Sequence, residues 1–453
     1  MTPLIASVTL AAVTLIGGDA LRRRAMPAFG ARGPTRLAAA WLLGQLLLSG
    51  AAVVCLAVRL PLTLAPMIPL IVAVLWRRLP DPDADADDRH PPVDPTLRGI
   101  AALTGLLATA VAARTPGLGW DGLAIWGLKA RTVAELGHVP WSAWLDPGAL
   151  SMHPEYPLHL PLLGAVFASI GALADLEWSH STLPLLSAFD VAAVTLLLVG
   201  SFEQRARAAR WPLRILLAGG LLTPIVWREL PEGKADLTLA LCVLAMTIGA
   251  VAWLRHGQRD ALLFAALAGG LGAWTKQEGL VWLALASLFV LTLTPQPSRR
   301  QLFGPALLAG LVAAPWHVVR LALGLATEPF AVNADQLDRL PPLAEAFGRE
   351  VVNPGHWGLL WIAALPVAAR SVIRGIRGWR STGAPETRGE LFPAAFLLAA
   401  VVTLGAIFLA TPHDLEWHLA TALDRVLLPL WPVALLTLGV GIEGARGGAE
   451  APP

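Results

Sequence analysis

The feature that most constrains this chain is the repetition of apolar runs close to the thickness of a bilayer. They lie near residues 3–18, 37–58, 60–75, 98–113, 157–174, 184–201, 213–229, 236–254, 260–274, 279–295, 302–321, 356–369, 391–410 and 425–442. A soluble domain has no room to bury so many. With 453 residues, 55% hydrophobic, 15% charged and a mean hydropathy of +0.61, the chain is a polytopic membrane protein. The runs are rich in Leu, Ala and Val and lack the alternation of a barrel strand, so they predict helices. The expected fold class is all-α, with about 13 transmembrane helices and amphipathic helices in one outer loop.

The polar residues between the runs set the domain organisation. Residues 1–80 read as N-terminal transmembrane helices, 81–97 as an acidic, Pro-rich cytoplasmic linker (DPDADADDRHPPVDP within it), 98–443 as the main membrane domain, and 444–453 as a flexible tail. The 34 basic and 32 acidic residues are scattered over short loops, which excludes a nucleic-acid-binding surface. Cys55 and Cys242 each lie inside an apolar run, where they predict neither a disulfide nor a thiolate metal site. The N-terminus has no basic region ahead of its first run, so a cleaved leader is not expected.

All but three of the 34 basic residues are arginine. Arginine clusters at Arg22 to Arg24, Arg77 and Arg78, Arg205 to Arg214, Arg255 to Arg259, Arg299 and Arg300, and Arg370 to Arg380 mark the cytoplasmic side. The intervening stretches then face outward: the loop 114–156, EGKAD at 232–236, KQEG at 276–279, 322–355 and HDLEWHLATALDR at 413–425. This puts Lys129, Lys234 and Lys276, the three lysines, on one side. Runs 157–174 and 184–201 cannot both be simple spans under this rule. Either the first dips in and returns, or Arg205 to Arg214 breaks the rule.

The outer loop gathers the densest chemistry. Residues 121–136 contain no proline and predict a surface helix with Ile125, Leu128, Thr132 and Leu136 along one stripe, and Trp120, Trp126, Trp141 and Trp144 suit the headgroup level. Asp121 heads that helix, as a cap or as a general base. Lys129 and Arg131 could meet phosphate or snorkel. HPEYP at 153–157 packs His153, Glu155 and Tyr156 between prolines. His153 and Glu155 are the candidate ligands for a divalent cation, and the metal stays open because two side chains do not define a site. Lys234 and Asp236 stand at the mouth of one run and Lys276 and Glu278 at another, as interface ion pairs or as a binding site. Arg425 opens the last run, where a guanidinium could grip a lipid phosphate. His413, Glu416 and His418 match no zinc spacing.

The order of these motifs resembles the GT-C membrane glycosyltransferases, the group of the protein O-mannosyltransferases and aminoarabinose transferases. Asp121 followed by Trp126, Ala130 and Arg131, then Gly137 and Pro140, matches the family's first outer loop, and HPEYPLHLP is similar to its closing proline-rich motif without the usual lysine. Asp236 and the Lys276 to Gly279 stretch match later acidic and Lys-Gly positions, and Arg425 matches more loosely. Asp121 is followed by Gly122 where many members have a second acid, and no C-terminal soluble domain is present. The resemblance implies an inverting transfer of a hexose or pentose from a polyprenyl-phosphate donor to a lipid, glycan or protein acceptor at the outer face of a bacterial cytoplasmic membrane. Asp121 would then be the base, Glu155 and Asp236 would orient the acceptor or a cation, and Lys129, Lys276 and Arg425 would neutralise the leaving phosphate. A transporter or flippase of lipid-linked substrates is the alternative, and a structural subunit a third; a transporter needs charge along a path through the midplane.

Overall fold

The computed structural model describes residues 2–29, 33–77, 94–146, 148, 152–173, 180–203, 210–325, 334–382 and 384–447. Most of the 81–97 linker, most of the DLEWSHS stretch and the end of the 444–453 tail lie outside them.

Among the described residues there is no strand. The helices are α1 (Thr2–Ala25), α2 (Gly33–Ala57), α3 (Met67–Arg77), α4 (Pro95–Ala113), α5 (Leu128–Leu136), α6 (Trp141–Trp144), α7 (His159–Ala172), α8 (Thr182–Glu203), α9 (Arg210–Leu221) and α10 (Pro224–Glu229). They continue as α11 (Asp236–His256), α12 (Arg259–Thr275), α13 (Gln277–Leu293), α14 (Phe303–Ala322), α15 (Leu340–Val351), α16 (Pro354–Trp357), α17 (Leu360–Thr382), α18 (Pro385–Leu409), α19 (Leu415–Leu427) and α20 (Trp431–Gly447). Each apolar run of the sequence thus falls on helix. Among the described residues, eight helical segments are long and apolar enough to cross a membrane: Ile5–Ala25, Gly33–Ala57, Pro95–Ala113, Thr182–Glu203, Asp236–His256, Gln296–Ala322, Pro385–Leu409 and Leu415–Ile442. The remaining runs make shorter helices or, in α17, a helix whose second half carries Arg370, Arg374, Arg377 and Arg380. At 1.5 Å per residue α7 reaches only about 21 Å, short of the hydrocarbon thickness.

Helix α11 is the axis of the molecule. It packs against α8, α12, α13 and α18 and is almost wholly enclosed, as is α8. By contrast α4 and α14 present Leu103, Leu106, Phe303, Leu307 and Leu311 outward, the pattern of helices solvated by lipid. The direction of α11 separates two ends. Asp236 opens it at one end; at the other, Arg255 meets Glu390 at 3.6 Å, and the neighbouring Asp260 accepts the Ala28 amide at 2.9 Å.

Candidate active site at the polar end

Five stretches far apart in sequence meet at the end where α11 begins. The first is the loop helix. It starts at Trp120, but Gly122–Gly127 forms a π-helical turn, in which the Leu128 amide bonds five residues back to Leu123 O. The extra residue in that turn rotates the remainder of the helix about its axis. Of the expected surface stripe Leu128 and Leu136 are exposed, but Ile125 departs from it and faces inward with Trp126, Lys129, Ala130 and Val133. Trp144 is also buried, Trp141 stacks on Trp316, and of the four loop tryptophans Trp120 alone is fully open.

Asp121 sits inside the first helical turn with αR dihedrals and makes no cap bond. Its carboxylate pairs instead with Arg425 Nη1 of α19, and each side chain remains 25% exposed. Arg425 Nε and Nη2 both donate to Thr421 O, at 3.1 and 2.9 Å, which fixes the plane of the guanidinium. Its charge also faces Asp236 and Glu229.

Asp236, in the first turn of α11, accepts from Lys276 Nζ at 2.8 Å, and Glu278 meets the same ammonium at 3.0 Å. Lys276 stands in extended conformation between α12 and α13, so its side chain leaves both helices and crosses to α11. Burial alone would lower its pKa, but Asp236 and Glu278 hold it well above the ordinary lysine value. Lys234 donates to Glu229 at 3.0 Å and lies 3.4 Å from Glu232. Arg228 pairs with Asp424, reaches Glu229 at 3.2 Å and donates to His356 Nε2 at 2.9 Å, and His356 Nδ1 in turn meets Glu350 at 2.7 Å. Gly119 and Gly122 make this assembly possible. A Cβ on Gly119 would stand 1.5 Å from Glu232 Oε2, and one on Gly122 would stand 1.7 Å from Glu232 O, so the 230–234 turn is seated on bare backbone.

The HPEYP strap completes the end of the bundle. Lys129 is fully buried and donates to His153 O at 2.6 Å, with its ammonium 5.9 Å from the Tyr156 ring centroid. Burial pushes its pKa down to about 7, against the pull of Glu155. His153 holds a positive φ of 47°, unusual for a side chain with a Cβ, and stacks on Tyr156 at 4.8 Å. His153 Nδ1 meets Glu155 Oε1 at 2.8 Å. Burial would raise Glu155, but the His153 hydrogen bond and the His153 and Lys129 charges hold it below the usual carboxylate range. The strap is tied to the other group by Gln277 Nε2, which donates to Glu155 O at 3.0 Å.

Thus Asp121, Lys234, Asp236, Lys276, Glu278 and Arg425 are brought into one charged group, and Lys129, His153, Glu155 and Tyr156 into a strap beside it. Arg131 lies elsewhere, on the exposed side of α5, joined to Glu135 at 2.6 Å. Glu232 and Asp424, from the charged stretches at 232–236 and 413–425, also belong to the group, and so do Arg228 and Glu229, which are not singled out by the sequence alone. Each flanks or faces a residue that is, so proximity to Lys234 and Arg425 is the available signal. Within the group, six carboxylates (Asp121, Glu229, Glu232, Asp236, Glu278, Asp424) meet four cations (Arg228, Lys234, Lys276, Arg425).

The strap does not fit a divalent cation. Glu155 is already engaged by His153 and faces the Lys129 ammonium, and no group of three or more His, Cys, Asp or Glu side chains placed to hold a metal occurs among the described residues. A carboxylate and a planar guanidinium, both part-exposed, with a more enclosed ammonium beside them, can bind a phosphate and accept a proton from a hydroxyl. No protein-family model matches the chain, and no curated protein and no solved structure matches it.

Proposed function

We propose that the chain is a membrane glycosyltransferase of GT-C type that moves a sugar from a polyprenyl-phosphate donor to a lipid, glycan or protein hydroxyl. In this reading the shorter apolar helices bring the spans to about 13, the membrane is a bacterial cytoplasmic membrane, and the polar end faces outward. The observation that carries it is the meeting of Asp121, Asp236, Lys276 and Arg425, contributed by four separate stretches, at the mouth of the helix bundle.

The contacts support a role for each residue in this reading. Asp121 takes the proton of the acceptor hydroxyl as its oxygen bonds to the anomeric carbon from the face opposite the phosphate. The bond from that carbon to the phosphate oxygen breaks, and the phosphate leaves with the electron pair. Arg425 receives its charge by contact, and Lys276, which stays paired with Asp236 and Glu278, adds only longer-range attraction. Lys129 acts through the strap: its ammonium is spent on His153 O, which fixes Tyr156 and Glu155 at the edge of the site. Glu155, held by His153 through Oε1, orients sugar hydroxyls with Oε2. In-line displacement with one base inverts the anomeric configuration.

The test is transfer of radiolabelled sugar from polyprenyl-phosphate donors in membranes containing the wild-type chain. Incorporation into a lipid, glycan or protein fraction is expected; failure with every hexosyl and pentosyl donor, in membranes where the protein is folded, overturns the reading. Asp190, buried in α8, is a carboxylate well inside a candidate span that a transporter reading could use. Its oxygens are instead filled by Trp41 and Gln45 of α2 and Thr238 of α11.

A further inference from the structure

Every cation of the charged group is already occupied by a carboxylate, and the group carries an excess of negative charge. An anionic donor can therefore enter only by displacing a carboxylate, and the pairs differ in what that displacement costs. Lys276 and Asp236 are nearly enclosed, with side chains 12% and 3% exposed, and Lys234 and Glu229 are similar at 12% and 5%. Opening either leaves a buried charge unpaired, a costly event. Arg228 is more open but has Asp424, Glu229 and His356 as partners. Arg425 has one carboxylate in side-chain contact, Asp121, and each of the two is 25% exposed. Breaking a part-exposed pair costs less than opening an enclosed one. The two remaining guanidinium nitrogens stay on Thr421 O, so Nη1 can change partner while the side chain keeps its place.

On the glycosyltransferase reading, we infer that the Asp121–Arg425 pair is a carboxylate-for-phosphate exchange switch: a lipid-linked phosphate takes Arg425 Nη1 from Asp121, and only then is the carboxylate free to accept a proton. A carboxylate paired with a guanidinium, here through Oδ2, is a weaker proton acceptor than an unpaired one. The site is therefore idle without its donor, and donor binding arms the base. This imposes an order, donor before acceptor. It also gives a purpose to the excess of carboxylates, which keep small anions off the cations between turnovers.

The exchange predicts that removing the competing carboxylate tightens donor binding while it abolishes transfer. Binding of farnesyl phosphate and of inorganic phosphate is measured by calorimetric titration of the purified full-length protein in detergent. The proteins are wild type, Asp121→Asn, Arg425→Lys and Glu416→Gln. The last removes the same charge from the exposed first turn of α19, outside the charged group and without touching Arg425. The expected result is that Asp121→Asn binds farnesyl phosphate about tenfold more tightly than wild type. Glu416→Gln is expected to change by about twofold or less, and Arg425→Lys to bind more weakly because the ammonium lacks the fork geometry. If Asp121→Asn and Glu416→Gln behave alike while wild type binds, the switch is overturned and the transferase reading stands. If neither wild type nor Asp121→Asn binds farnesyl phosphate, both fall. An equal gain for inorganic phosphate overturns the assignment to a lipid-linked ligand.

Discussion

Two groups of buried or half-buried charge lie only a few turns apart and are built in opposite ways. At the polar end each acid has a base: Asp121 with Arg425, Asp236 with Lys276, Glu229 with Lys234. Within the bundle Asp190 has none. It is 1% exposed and accepts from Trp41 Nε1 at 2.7 Å, Gln45 Nε2 at 2.6 Å and Thr238 Oγ1 at 2.6 Å, and Gln45 Oε1 faces His159 Nε2 at 3.3 Å. Ion pairs near water can trade partners, because a substrate charge replaces a protein charge at small net cost. A carboxylate satisfied by three neutral donors in a dry interior offers no such trade, and any loss leaves donors unpaired. The first arrangement suits a working site. The second ties α2, α7, α8 and α11 together beneath it.

The largest effect expected to sharpen this contrast is at Asp121. Asparagine keeps the size but cannot act as a base, so transfer should fall by at least about a hundredfold, with the thermal midpoint close to wild type since the pair is part-exposed. Retained transfer in Asp121→Asn would make the polar end as structural as Asp190. Next in size is Asp190→Leu. It strands three donors in the interior and should lower stability by about 3 kcal/mol, read as a shift of the unfolding midpoint in detergent. A midpoint unchanged by this substitution would remove the distinction between the two groups.

The apolar runs made the helices legible, because burial in lipid leaves a backbone no alternative. The charged residues at the mouths of those runs made much of the site legible, Asp121, Asp236, Lys276 and Arg425 above all. Three features were not. The π-helical turn at Gly122–Gly127 follows from the seating of Glu232 against Gly119 and Gly122, a tertiary contact that no local pattern encodes, and it is this turn that carries Lys129 inward. Arg228 and Asp424 look like ordinary interface charges until the fold joins them. Asp190 and Gln45 sit singly inside long apolar runs, and no motif marks them. The cost of an unpaired acid at that depth, roughly 2.5 to 3.5 kcal/mol, is the signal that could find Asp190.

A steric change should give a smaller effect than either charge. Gly122→Ala places a methyl group against Glu232 O and should cost about 1–3 kcal/mol, and with it the register between Asp121 and the 230–234 turn. Reduced transfer together with a lowered unfolding midpoint is the expected outcome. An unchanged midpoint would mean that the turn moves aside freely.

The smallest effect concerns the strap. Unfolded, Lys129 keeps its proton up to about its ordinary value of 10.5; folded, burial drops the pKa to about 7. Between those values the unfolded chain binds more protons, so this residue makes stability rise with pH, by at most about 1.4 kcal/mol per unit, and the gain is lost as pH falls toward 7. Glu155 titrates below the ordinary carboxylate value of 4.5, outside this window. Unfolding midpoints of wild type and Lys129→Met, compared from about pH 7.5 to about pH 9.5, should diverge, with only the wild type gaining. Parallel curves would place the Lys129 ammonium in contact with water.

The most direct test sets the two carboxylates side by side. Sugar transfer per folded molecule and the unfolding midpoint are measured for wild type, Asp121→Asn and Asp190→Asn in the same membranes and detergent. Lost transfer with a preserved midpoint is expected at Asp121, and a lowered midpoint with transfer per folded molecule largely preserved at Asp190. Transfer that survives at Asp121 and disappears at Asp190 without loss of stability would move the chemistry from the polar end into the membrane.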